Sequence, residues 1–218
     1  MNKKMVLCCL LAFILSFLVS FPLYAEDKNW EIRNYQTVRL DDRREIDSTY
    51  LTRIEASFYY KIPSDLDIKF ELKPFGEAQY KWDQGAWSRN EAGVETGFHV
   101  TEYAYIGESF QYAWLDEYKK GTRFRNEDFL RNDTAELESR LEAHIPFVLN
   151  SKGYKITVVL IEEYTYSCEE ERATLNEIGG RFVIPVFKYL DVALGWRHID
   201  RIHEYDSDQL ELTSIIKF

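Results

Sequence analysis

The chain has 218 residues, 16% of them aromatic, and its 37 acidic against 27 basic side chains give a net charge of −10. An acidic surface excludes nucleic acid as a partner, because phosphate contacts need clustered Lys and Arg. Three cysteines, two of them inside the first apolar run, exclude a scaffold built on disulfides.

Residues Met1 to Ala25 have the three-part layout of a secretory signal peptide. Lys3 and Lys4 precede an apolar run from Met5 to Phe21, and Ala25 stands before the charged Glu26-Asp27. A retained anchor is the rival reading, since the run is close to the minimum that spans a bilayer; the small residue at its end favours cleavage. Removing these 25 residues leaves 193 of the 218, with 25 basic and 37 acidic side chains and a net charge of −12. Cys8 and Cys9 go with the leader and Cys168 stays alone. Export without a disulfide framework suits a bacterial envelope barrel, and residues 26–218 read as one such domain.

Alternation of period two, the mark of a sheet with two unlike faces, runs through this domain. The first strand spans about Asn29 to Leu40, with Trp30, Ile32, Val38 and Leu40 on one face and Asn34 and Gln36 out of place among them. A charged loop from Asp41 to Ser48 leads to a second strand, Tyr50 to Ile62. The third, Leu66 to Trp82, keeps one register for its whole length; Pro74 inside it cannot donate to a ladder, so a bulge is expected there. The fourth and fifth run from Trp87 to His99 and from Tyr103 to Leu115, the latter with Glu108 on its apolar face.

After a long charged loop, Asp116 to Asn132, the sixth strand spans Asp133 to Val148 and the seventh Tyr154 to Tyr166. The eighth covers Ala173 to Phe187 and the ninth Asp191 to Ile202. The tenth, Asp208 to Phe218, places Leu210, Leu212, Ile216 and Phe218 on one parity and stops on an aromatic residue, as the closing and insertion strand of a barrel would. Glu108 and Glu162 fall on the lipid-facing parity, where an acid is disfavoured, so a bulge that turns each inward is expected; a protein contact is the other reading.

Ten strands with short links on one side and mostly longer ones on the other predict an all-β, antiparallel, up-and-down transmembrane barrel. Outward aromatics gather toward the two ends of the strands, as interfacial belts do. The leader, the alternation, Phe218 and segments such as 73–80 (KPFGEAQY) and 89–97 (RNEAGVETG) resemble the small bacterial outer-membrane β-barrel proteins of uncharacterised families. That resemblance implies location in the outer membrane, contact with its lipid and insertion by the envelope's barrel-insertion machinery; it brings no catalytic residue.

The inward parity carries both signs of charge. Its network comprises Arg33, Arg39, Arg53, Glu55, Lys69, Glu71, Arg89, Glu91, Glu95, Glu138, Arg140, Glu142, Arg181 and Arg197. In a ten-stranded barrel such charges must meet and pair, because an unpaired charge away from water is costly. Two functions follow: a salt-bridged structural or surface barrel, or a narrow porin-like channel for small polar solutes. A third class, a hydrolase at the rim, rests only on His198, Asp200, His203, Asp206 and Asp208, and their spacing supplies no oriented base. Glu169-Glu170-Glu171 and Asp41-Asp42 lack ordered ligand spacing, so no metal site or cofactor is expected.

Overall fold

A computed structural model describes residues 29–41, 48–63, 65–82, 86–115, 133–148, 155–202 and 206–218. The leader at 1–25, the charged stretch 42–47, the loop 116–132 and the turn 149–154 lie outside the described residues. The strands are β1 (Trp30–Asp41), β2 (Thr49–Lys61), β3 (Ile68–Lys81), β4 (Ala86–Val100) and β5 (Ala104–Leu115), then β6 (Thr134–Val148), β7 (Lys155–Ser167), β8 (Arg172–Phe187), β9 (Leu190–Asp200) and β10 (Ser207–Lys217). Each pairs antiparallel with its chain neighbours, and β10 pairs with β1, so the sheet is a closed barrel with no edge.

Alternation sorts two environments. On β10, Leu210 and Leu212 are 57% and 53% exposed, while Gln209, Glu211 and Thr213 between and beside them are 3%, 6% and 4% exposed. This reverses the order of a soluble sandwich: the apolar side chains face out and the polar ones are enclosed. Strands of 11 to 16 residues meet or exceed the nine to eleven or so that a tilted strand needs to cross a bilayer. Outward Trp30, Tyr60, Phe98, Phe147 and Phe218 ring the end that carries both termini, and Trp82, Trp87, Trp114 and Tyr166 ring the other. A closed sheet with an apolar belt between aromatic girdles is an outer-membrane β-barrel.

The seam between first and last strands is zipped on the inner side. Arg39 and Glu211 are register partners with an ion pair of 2.7 Å, the Thr37 and Thr213 hydroxyls lie 2.9 Å apart, and Gln209 Nε2 donates to Asp41 Oδ2 at 3.2 Å.

Three irregularities correct the sequence reading. Pro74 forms no bulge: β3 keeps one register with β4 from Ile68 to Gln79, and the β2–β3 ladder omits the two pairs at Lys73 and Pro74 without shifting. The missing donor therefore faces β2, and the strand absorbs one lost bond without shifting. Register shifts fall instead at Gln79/Tyr80, Thr165/Tyr166 and Pro185/Phe187. None lies at Glu108 or Glu162, which stay on the outer wall.

Candidate functional site: the charged lumen

The inward side chains line a cavity of about 550 Å³. Its lining runs from Lys81, Ser88 and Arg172 near one rim to His144, Asp191 and Lys217 near the other. Among the described residues that line it are twelve Arg or Lys and twelve Asp or Glu, so its wall is close to neutral.

At the centre sits Glu95 on β4, 1% exposed. Lys73 Nζ approaches it at 3.1 Å, Arg140 at 3.2 Å and Arg53 at 3.4 Å, and the Tyr105 hydroxyl donates to it at 2.6 Å. Three cations around one carboxylate are compensated by a second layer of acids. Arg53 also meets Glu55 at 3.3 Å and Glu77 at 3.7 Å, Lys73 meets Glu71 at 3.5 Å, and Arg140 meets Glu138 at 3.1 Å. The Arg53 guanidinium lies 3.9 Å from the Phe75 ring centroid, a cation–π contact inside the barrel.

Local sequence explains how the hub fits. Gly97 and Gly107 are register partners on β4 and β5, and Arg140 is the partner of Gly107 on β6. A Cβ on Gly107 would lie 2.6 Å from the Tyr105 hydroxyl, and one on Gly97 would also strike that ring. Two residues without side chains thus make the seat on which Tyr105 lies flat, its hydroxyl aimed at Glu95.

From the hub, ion pairs pass round the wall as a girdle. Arg140 Nε meets Glu163 at 2.7 Å, Glu163 pairs with Arg197, Arg197 meets Glu211 at 3.2 Å, and Glu211 meets Arg39 at 2.7 Å. The sequence Arg53–Glu95–Arg140–Glu163–Arg197–Glu211–Arg39 alternates in sign and touches β2, β4, β6, β7, β9, β10 and β1. Arg197 also pairs with Glu177. A separate group stands on β4 and β6, where Arg89 pairs with Glu91 and meets Glu136 at 2.5 Å. Toward the end with the termini, His99 Nε2 lies 2.9 Å from Glu71 and His144 Nε2 lies 2.7 Å from Glu142, which Arg181 approaches at 3.8 Å. Arg33 lines the cavity and meets Glu31 at 2.5 Å.

Of the residues expected in the network, Lys69 stands apart: it is exposed near the start of β3 and is not part of the cavity lining. Glu95 is enclosed behind the cations it holds. Reasoning from parity missed Tyr105, Glu163 and Glu177. On β7 Val159 and Ile161 share the inner face with Glu163, so both faces of that strand read as apolar. Tyr105 is legible only through its two glycines, which become a seat once the strands are paired.

The rim cluster does not assemble in the lumen. His198 Nδ1 lies 3.2 Å from Asp208 Oδ1, but this register pair belongs to the outer wall, where His198 stacks beside Trp196. Asp200 pairs across to Asn176, Asp206 is exposed, and His203 lies outside the described residues. Glu169 and Glu170 point to separate partners: Glu169 accepts from Thr134 Oγ1 at 2.7 Å and Glu170 from Arg172 at 2.7 Å. Among the described residues no three His, Cys, Asp or Glu side chains come together as metal ligands.

No known family profile matches the chain, and no curated protein matches it. Among solved structures it is similar to the KdgM porin, at 10% identity over 85% of this chain and 99% of that one, with a TM-score of 0.47. It is also similar to the NanC porin, at 10% identity over 87% and 100% with a TM-score of 0.41. The beta domain of the Bordetella autotransporter BrkA is similar at 8% identity over 87% and 98%, with a TM-score of 0.42.

Proposed function

We propose that the barrel is a narrow channel for small polar solutes, held to shape by its own ion pairs. The observation that carries this reading is a cavity, lined mainly by charged and polar side chains, whose lining reaches from residues near one rim to residues near the other. The girdle narrows the passage and fixes it, since each of its carboxylates is held by at least two cations. Balanced charge on the wall makes selectivity between cations and anions weak, because a permeating ion meets both signs at close range. The outer wall takes lipid, and β10, with Leu210, Leu212 and Ile216 outward and Phe218 directly after it, is the strand the barrel-insertion machinery reads.

Single-channel recording of the reconstituted full chain tests the reading. The expected result is small, steady conductance steps with weak ion selectivity. Absence of steps above the bare bilayer would replace it with the second reading, a salt-bridged structural barrel, which the girdle favours.

A further inference from the structure

The outer wall carries two polar islands within its apolar belt. The first lies across β10, β1 and β2, where Ser214, Asn34, Gln36, Tyr50 and Thr52 all take the outward parity. Gln36 Nε2 donates to Thr52 Oγ1 at 2.8 Å and to Asn34 Oδ1, and the Tyr50 hydroxyl donates to Gln36 Oε1. Ser214 is the register partner of Gln36 across the seam.

The second lies across β4 to β7. Thr96, Glu108 and Ser139 form one register line, and the Ser139 hydroxyl lies 2.8 Å and 2.9 Å from the two oxygens of Glu108. Glu162 stands on β7, two residues from Tyr164, the partner of Ser139. Glu108 sits between outward Ile106 and Phe110, and Glu162 between outward Leu160 and Tyr164, so both acids lie inside the apolar belt. An acid facing lipid there is disfavoured, and no register shift relieves it.

The two islands are placed to meet across a boundary between molecules. One centres on β1 and the other on β5 and β6, so they stand on nearly opposite walls of a ten-stranded ring. They also lie at one level: Asn34 and Glu108 are each the fifth residue from the terminus-bearing end of their strands. Their chemistry is complementary. The carboxylates are acceptors only, while the Asn34 amide and the Thr52 and Ser214 hydroxyls are donors, and hydrogen bonds to a charged acceptor are the strong ones.

We propose that copies of this chain pack side by side in the membrane, the Glu108–Glu162 wall of one against the Asn34–Gln36 wall of the next. Every copy keeps the same orientation across the bilayer, because a shift in the membrane plane brings one island to the other. The contact joins unlike surfaces, and since these lie on opposite walls it extends as a row rather than closing into a dimer or trimer. It is independent of whether the lumen conducts.

The test uses the full chain with Cys168→Ser, carrying Ile32→Cys and Ile106→Cys, outward positions two residues before Asn34 and Glu108 and so at one level with each other. In outer-membrane vesicles an oxidant should give a ladder of covalent dimers, trimers and longer species. Either single cysteine should stop at background. Adding Glu108→Leu with Glu162→Leu should reduce the ladder several-fold while the barrel keeps its heat-modifiable gel mobility, which shows that it still folds. A ladder indifferent to the leucine pair overturns the proposal. So do a dimer formed by Ile106→Cys alone, which marks a symmetric contact, cross-links only to other envelope proteins, and monomer throughout.

Discussion

Arg140 meets Glu95 at 3.2 Å although β5 separates the strands they stand on, with Gly107 and its partner Gly97 on the register line of Arg140. The absence of side chains on β5 and β4 at that level opens the route for the guanidinium and seats Tyr105 beside it. A long-range pair of this kind ties β6 to β4 without a backbone bond, and the same carboxylate ties in β2 and β3 through Arg53 and Lys73.

Replacing Glu95 with Ala leaves three cations and one hydroxyl without their shared acceptor. Breaking an enclosed pair from one side costs about 3–5 kcal/mol. Here about 3 kcal/mol is expected, because Arg53, Lys73 and Arg140 keep Glu55, Glu71 and Glu138. Urea unfolding in lipid vesicles, followed by tryptophan fluorescence, measures it. The variant also gains one positive charge in the lumen, so its reversal potential in a salt gradient should move toward anion preference.

Gly107→Val should cost about 1–3 kcal/mol by overpacking, since its Cβ would meet the Tyr105 ring. In a Tyr105→Ala background the same change should cost much less, because the atoms it strikes are gone. A double-mutant cycle reads the difference as a coupling between the two residues. Equal costs in both backgrounds would show that the glycine serves its own backbone and not the seat.

The two-solvent alternation made the strands legible, and the described strands begin and end within two residues of the sequence reading. Each residue of a strand has to suit hydrocarbon or lumen, so parity leaves its mark even on β1, where Asn34 and Gln36 break the pattern without leaving the outer face. Bulges were not legible. One extra residue, such as Ser88 opposite the Gln79/Tyr80 step, changes neither composition nor turn signals. The partners within the lumen were not legible either. They depend on strand stagger, which sets Arg53 against Glu95 across β3 and is nowhere written in the spacing of charges along one strand.

Cys168 reports on sidedness and on a local field. It lies in the turn after β7, at the end of the barrel opposite the termini, with its amide donating to Ala135 O at 2.8 Å. With the termini in the periplasm, a membrane-impermeant maleimide should label it in intact cells. Partial burial, with the carboxylates of Glu169 and Glu136 nearby, pushes its thiol pKa up. A raised pKa means less thiolate at a given pH, so the labelling rate should rise at higher pH than for free cysteine. Glu169→Gln should move that profile back toward lower pH; no movement would leave burial and Glu136 as the causes.

At the seam, the two partners of one ion pair should behave unequally. Glu211 holds Arg39 at 2.7 Å and Arg197 at 3.2 Å, whereas Arg197 has Glu163 and Glu177 besides. Removing the carboxylate by Glu211→Ala strands Arg39 on the closing ladder, and a cost of about 3 kcal/mol is expected. Arg39→Met removes the other partner but leaves Glu211 compensated by Arg197, and the new side chain fills part of the space against Thr37 and Thr213. Its cost should stay near 1 kcal/mol, the scale of a substitution that strands no charge. The rate at which the folded band converts to the unfolded one on heating compares the two directly. Glu211→Ala should convert faster, and if Arg39→Met converts faster still, the seam is held by the guanidinium's packing and not by the charge it meets.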